Sequence, residues 1–136
     1  MLQCLEHLDE MVVVTDAALD GDGPRIRYVN AAFERASGWP RAEAIGRSPR
    51  FLQGPGTDRA TLDAIRAALQ AAEPIRVELL NYARDGREYR IRAHIQPMRG
   101  ADGTLEGFIA VQRDLSAEAG DAALTRRLGE WFEGAA

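Results

Sequence analysis

Four side chains in this sequence are of types that could grip an anion and a flat polar edge: Arg50, Arg66, Asn81 and Gln112. A guanidinium presents its N–H groups as a fork that matches two oxygens of a phosphate. Arg50 follows Ser48-Pro49, Arg66 lies in a helical pattern, and Gly54-Pro55-Gly56 falls between them, so the arginines and the loop make a candidate anion site. Against this stands the ordinary fate of surface arginines, which are solvated or loosely ion-paired. Asn81 alternates with Val77 and Leu79, and Gln112 with Phe108 and Ala110. On buried faces both amides need partners. A neighbouring loop is the usual one, and a planar ligand with a uracil-like edge is the other.

The elements that would carry these residues follow from periodicity. MVVVTDA (11–17) is a β-branched run and RIRYVN (25–30) alternates; with the GDGP turn between them they read as an antiparallel hairpin. Asn30 is suited to cap AAFERAS, which Gly38 ends, and Pro40 to begin PRAEAI, which Gly46 ends. Ser48-Pro49 repeats the cap-then-proline pattern. A longer helix opens at Thr57 or Asp58 and runs to about Ala72, with Leu62, Ile65, Ala68 and Leu69 on one stripe and Pro74 as its stop. From Ile75 the period changes to two. Ile75, Val77, Leu79 and Asn81 share a face, Asp85-Gly86 turns the chain, and Tyr89, Ile91, Ala93 and Ile95 share the next face. Ala101-Asp102-Gly103 leads into TLEGFIAVQRD. The expected architecture is α+β, a five-stranded antiparallel sheet with short helices over one face.

Composition bounds the function. A chain of 136 residues suits one domain, and 17 basic residues dispersed among 21 acidic ones, with net charge −4, form no basic stripe for nucleic acid. No apolar run approaches the roughly 20 residues of a membrane span, and no signal-peptide pattern precedes the first strand, so a cytoplasmic location is expected. Cys4 is the single cysteine, expected to be a packed, small apolar side chain, and with His7 and His94 as the only histidines no metal cluster is expected. Neither a catalytic triad nor a P-loop is present, so the chain does not read as an enzyme.

RFLQGPGTD, NYARDG, HIQPM and FIAVQRD, in this order, closely resemble the LOV (light-oxygen-voltage) branch of the PAS fold, the blue-light-sensing flavin modules. The resemblance covers about residues 11–114. It implies FMN, with FAD or riboflavin as alternatives, held between sheet and helices. Carried over by position, it places Arg50 and Arg66 at the phosphate, Gln53 at the ribityl and ring region, and Asn81 and Gln112 on the pyrimidine edge. Val13, Leu52, Leu79, Ile95 and Phe108 would form the apolar slot for the ring.

Departures from the family pattern are equally specific. Ser48-Pro49 stands where the family has Asn-Cys, and Pro49 cannot supply the thiol of the light-driven adduct to the flavin. Ile91 replaces a second edge asparagine, a loss on the order of 1–3 kcal/mol if that edge is left unsatisfied. Ala110 replaces a glycine and narrows the slot by a methyl group. An excited flavin without the thiol can still take an electron, for which Trp39, Tyr28, Tyr82 and Tyr89 are the candidate donors, none assigned. The expected organisation is an N-terminal cap segment (1–10), a flavin-binding core (11–114) and a C-terminal flanking helix (115–136) with Leu124, Leu128, Trp131 and Phe132 clustered; the flanks are a candidate homodimer contact. The competing function is a cofactor-free PAS domain that dimerises or binds a partner protein.

Overall fold

The structure, a computed structural model, describes residues 2–116. The expected flanking helix falls almost wholly on residues 117–136, outside the described residues. In chain order the elements are α1 (Leu2–Glu6), β1 (Met11–Thr15), β2 (Ile26–Val29), α2 (Ala31–Ser37), α3 (Arg41–Ala44), a 3-10 turn (Pro49–Leu52), α4 (Arg59–Ala71), β3 (Ile75–Tyr82), β4 (Glu88–Arg99) and β5 (Leu105–Asp114). The strands form one antiparallel sheet in the order β2-β1-β5-β4-β3. The α+β architecture anticipated from the alternation is the one observed.

Local chemistry explains where each helix starts and stops. Asn30 caps α2 by accepting from the Phe33 N–H, and Gly38, at φ 73°, ends it in the left-handed region. Asn30 does more than cap. Its Oδ1 also accepts from Val12 N–H at 2.9 Å, and its Nδ2 donates to the Leu5 and Glu10 carbonyls, both at 2.9 Å, so one fully buried amide ties α1, β1 and α2 together. Pro40 stands just before α3 as its cap residue. Asp58 caps α4 through the Thr61 N–H. That helix ends at Ala71 because Ala72 turns left-handed at φ 52°, two residues before the proline expected to stop it.

Two glycines permit close approaches. A Cβ at Gly107 would lie 2.0 Å from the Thr15 carbonyl oxygen, a backbone atom in β1 that cannot swing aside. Gly107→Ala is therefore expected to destabilise the fold by about 1–3 kcal/mol, measured as a lowered midpoint in chemical denaturation. At Gly54 a Cβ would meet the Tyr82 ring at 2.3 Å, and the Gly56 N–H donates to Tyr82 Oη at 2.8 Å. The Gly-Pro-Gly loop thus packs on the β3 edge, and its residues are not among those that line the main cavity. Packing on Tyr82 accounts for its glycines.

α1 is latched by charge. Glu6 accepts from the Tyr28 hydroxyl at 2.7 Å and pairs with Arg41, which also approaches Glu34 at 3.6 Å. The Tyr28 hydrogen bond, then the one from Arg41, hold the Glu6 carboxyl below its ordinary 4.5. A lowered folded-state pKa means this contribution is complete above pH 4.5 and is lost as the pH falls through the folded value. Amide exchange around α1 should accelerate in that acid window, and Glu6→Gln should flatten the dependence. Cys4, on the same helix, is exposed, not packed as its residue type suggested, because this short helix leaves a solvent-facing side.

Candidate functional site

The inner face of the sheet can be built from its register. Along β5, Phe108, Ala110 and Gln112 point inward; Ala110 pairs with Val13 and Ile95, and Gln112 with Met11 and Ala93. Along β3 and β4, Leu79 pairs with Ile91 and Asn81 with Tyr89. Opposite this face stands α4. It carries the expected apolar stripe, yet none of its residues is fully buried. Leu62, Ile65 and Leu69 are instead turned across a cavity of about 270 Å³, near the lower end of the range of roughly 300–1,000 Å³ typical of ligand sites.

Every residue singled out from the sequence as cofactor-binding lines this cavity: Arg50, Gln53, Arg66, Asn81, Gln112, Val13, Leu52, Leu79, Ile91, Ile95 and Phe108. Pro49 lines it too, as do Ser48 and Ala110. The wall divides by exposure. Val13, Leu52, Leu79, Ile91, Ala93, Phe108 and Asn81 are buried, whereas Arg50, Arg59, Asp63, Arg66 and Gln70 are exposed and mark where the cavity meets solvent. An apolar slot therefore has amides on its inner side and guanidinium groups on its outer side.

Sequence reasoning missed Arg59 and Asp63. Both fall on the α4 stripe that bears Leu62 and Arg66, so helical spacing alone was enough to find them. Arg59 pairs with Asp63 at 3.3 Å. Among the described residues, Arg50 and Arg66 have no ion-pair partner, which leaves both forks available to an anion.

The local fold presents Arg50 and Gln53. Ser48 is buried; its Oγ donates to the Asp22 carbonyl at 2.7 Å and accepts from the Arg50 N–H at 3.4 Å. Pro49, without an N–H, fits the first position of the turn. The turn closes with Gln53 N–H on the Arg50 carbonyl at 3.0 Å. Ser48-Pro49 thus starts a well-made turn at the cavity wall.

The four aromatic candidates lie in different surroundings. Trp39 meets Phe51 edge-on at 5.1 Å between centroids, with the Arg47 and Arg84 guanidinium groups each 5.5 Å from its ring. Tyr28 belongs to the Glu6 latch and Tyr82 to the loop contact. Only Tyr89 has a cross-strand partner that lines the cavity, namely Asn81. Burial is the main reason its phenol is pushed up to about 12; Asp114 adds to the rise, while the Asn81 amide and Arg87 oppose it.

With this geometry the relatives can be placed. Residues 1–115 match the PAS fold family. Phototropin-2 of Oryza sativa subsp. japonica is 40% identical over 110 residues, covering 81% of this chain and 12% of that protein. A blue-light-activated histidine kinase of Brucella canis is 40% identical over 97 residues, 71% of this chain and 20% of that protein. The chain thus spans a small part of the curated relatives it matches. A solved structure described as addressing the light-oxygen-voltage domain mechanism with a flavin analogue superposes with a TM-score of 0.78 at 29% identity, covering 95% of this chain and 94% of the other. The LOV domain of the Erythrobacter litoralis EL346 blue-light-activated histidine kinase superposes at 0.73 with 30% identity, covering 79% of this chain and 97% of that one. The protein is a PAS-fold domain. Within that fold it belongs to the LOV family.

Proposed function

We infer that this chain is a flavin-binding sensory module, with FMN the preferred flavin and FAD or riboflavin as alternatives. One observation carries this: a single cavity joins an apolar slot, buried or half-buried amides at Asn81 and Gln112, and two guanidinium groups without ion-pair partners among the described residues. A slot between Leu79, Ile91 and Phe108 of the sheet and Leu62 and Ile65 of α4 suits a flat ring. Arg50 and Arg66 would hold the phosphate, Gln53 the ribityl chain, and Asn81 and Gln112 the pyrimidine edge. The ring would supply blue-light absorption and redox chemistry; the protein excludes water and fixes orientation.

Pro49 supplies no nucleophile, so this module forms no cysteinyl adduct and responds to light or redox state through flavin reduction. Gln112 sits on the central strand β5, bonded to β1 on one side and β4 on the other. A change in its pairing with the ring would pass directly to the middle of the sheet. The module is not itself an enzyme, acts in the cytoplasm, and uses its flanks (1–10 and 115–136) about the 11–114 core for dimerisation or output. Ile91, fully buried where an edge amide would help, favours one alternative, a cofactor-free PAS interaction domain.

Absorption spectroscopy of the purified protein, before and after addition of FMN, tests this. A structured blue band that survives gel filtration with the protein is the expected result. Folded protein that retains no flavin would leave the interaction-domain alternative.

A further inference from the structure

Tyr89 is 1% exposed, and its buried Oη makes no hydrogen bond of ordinary geometry among the described residues, although the Asn81 amide is the hydrogen-bonding group that acts on it. Native proteins seldom leave such a group unpaired, so the hydroxyl calls for a role. Its cross-strand partner is Asn81, on the same face and 3% exposed. Side chains so opposed have Cβ atoms about 4.5–5.5 Å apart, within reach of a phenol and an amide. Asn81 lines the cavity and Tyr89 does not. The next inward residues on the two strands, Ile91 and Leu79, are apolar and also line it. Nothing in that pair can tell the carbonyl end of the Asn81 amide from its NH₂ end.

We propose, on the flavin reading above, that Tyr89 is a positioning residue for Asn81: its phenolic oxygen takes an N–H of the Asn81 amide, which turns Oδ1 into the cavity as the acceptor for a ring N–H. The site thereby selects a ligand whose edge carries a donor at that point, as the imide of an isoalloxazine ring does. Ile91 removes one edge partner, and Tyr89 makes the remaining asparagine singly oriented. An amide free to rotate would present the wrong end part of the time and bind correspondingly less well.

The test uses the whole 136-residue chain and riboflavin, which has the ring without the phosphate. Tyr89→Phe is expected to weaken riboflavin roughly 3- to 10-fold, the net value of one buried hydrogen bond. The Asn81 side-chain NH₂ resonances, identified by their loss in Asn81→Ala, should shift in Tyr89→Phe even before ligand is added. In an Asn81→Ala background the Tyr89 change should have no further effect. Equal losses in both backgrounds would mean that the hydroxyl serves packing alone and would overturn the proposal. So would unchanged affinity in Tyr89→Phe. The wild-type protein provides a reading independent of any variant's folding: a nuclear Overhauser contact between the Asn81 NH₂ and the Tyr89 ring is expected, and its absence counts against the pair. Folded wild-type protein that binds no flavin would remove the flavin reading and this proposal together, whereas binding that is indifferent to the phenol removes only the latter.

Discussion

Pro49→Cys is expected to change a flavin band that persists under blue light into one that bleaches in the light and recovers in the dark. Position 49 is half-buried on the cavity wall, at the first residue of the 3-10 turn. A cysteine there gains an N–H that the start of a helix leaves without an internal partner in any case. The Ser48 bonds to Asp22 and Arg50 involve neither the proline ring nor its nitrogen. The cost of losing proline comes mainly from a freer unfolded chain, about 0.4–1 kcal/mol, too little to unfold a typical domain. The thiol would bond through sulfur to the ring carbon beside the edge that Gln112 would hold, its proton passing to the neighbouring ring nitrogen. Bleaching is then an all-or-none spectral change. A variant that binds flavin but keeps its band would show that Ile91 or Ala110 also misplaces the ring. Full reversible bleaching of the unmodified protein would contradict the assignment of Pro49.

Arg50→Ala and Arg66→Ala are each expected to weaken FMN by about tenfold while changing riboflavin by less than about twofold. A hydrogen bond to a charged group is worth roughly 1.5–3 kcal/mol in net terms, and exposure of both guanidinium groups puts the expectation at the lower end. Since neither has an ion-pair partner among the described residues, removing one strands no carboxylate. The fold should be indifferent, and the thermal midpoint without ligand is the control. Raising the salt concentration should reproduce part of the loss for FMN alone. Titrations of the two ligands that fall in parallel would place the phosphate elsewhere, with Arg59 the next residue to replace. Its pairing with Asp63 makes it the weaker candidate on the same wall.

Much of this site was legible in one dimension because strand and helix periods are steric facts of the backbone. A period of two put Asn81 with Leu79 and Gln112 with Phe108, and the register bears out both faces. Turn chemistry was equally local: Asn30 caps, Gly38 stops, and Ser48 with Pro49 begins a turn, each through atoms only a few residues apart. What a face looks at is a different matter. The stripe of α4 could have packed on the sheet, and only the tertiary structure sets it across a cavity, which is why its leucines escape full burial. The glycines of the Gly-Pro-Gly loop accommodate Tyr82, a contact no local pattern announces, because the space for a Cβ is decided by a residue far along the chain. Asn30 looked like a simple cap, and its second set of bonds depends on where α1 comes to rest. The sequence by itself determined the faces, the turns and the chemical types on the cavity wall, including a proline and not a thiol at position 49, since these depend on residue identity and short-range sterics. Only the tertiary structure decided that Tyr89 stands opposite Asn81 with its hydroxyl buried and that arginines and amides share one cavity, because strand register and the closure of α4 over the sheet bring together residues that local periodicity treats as unrelated.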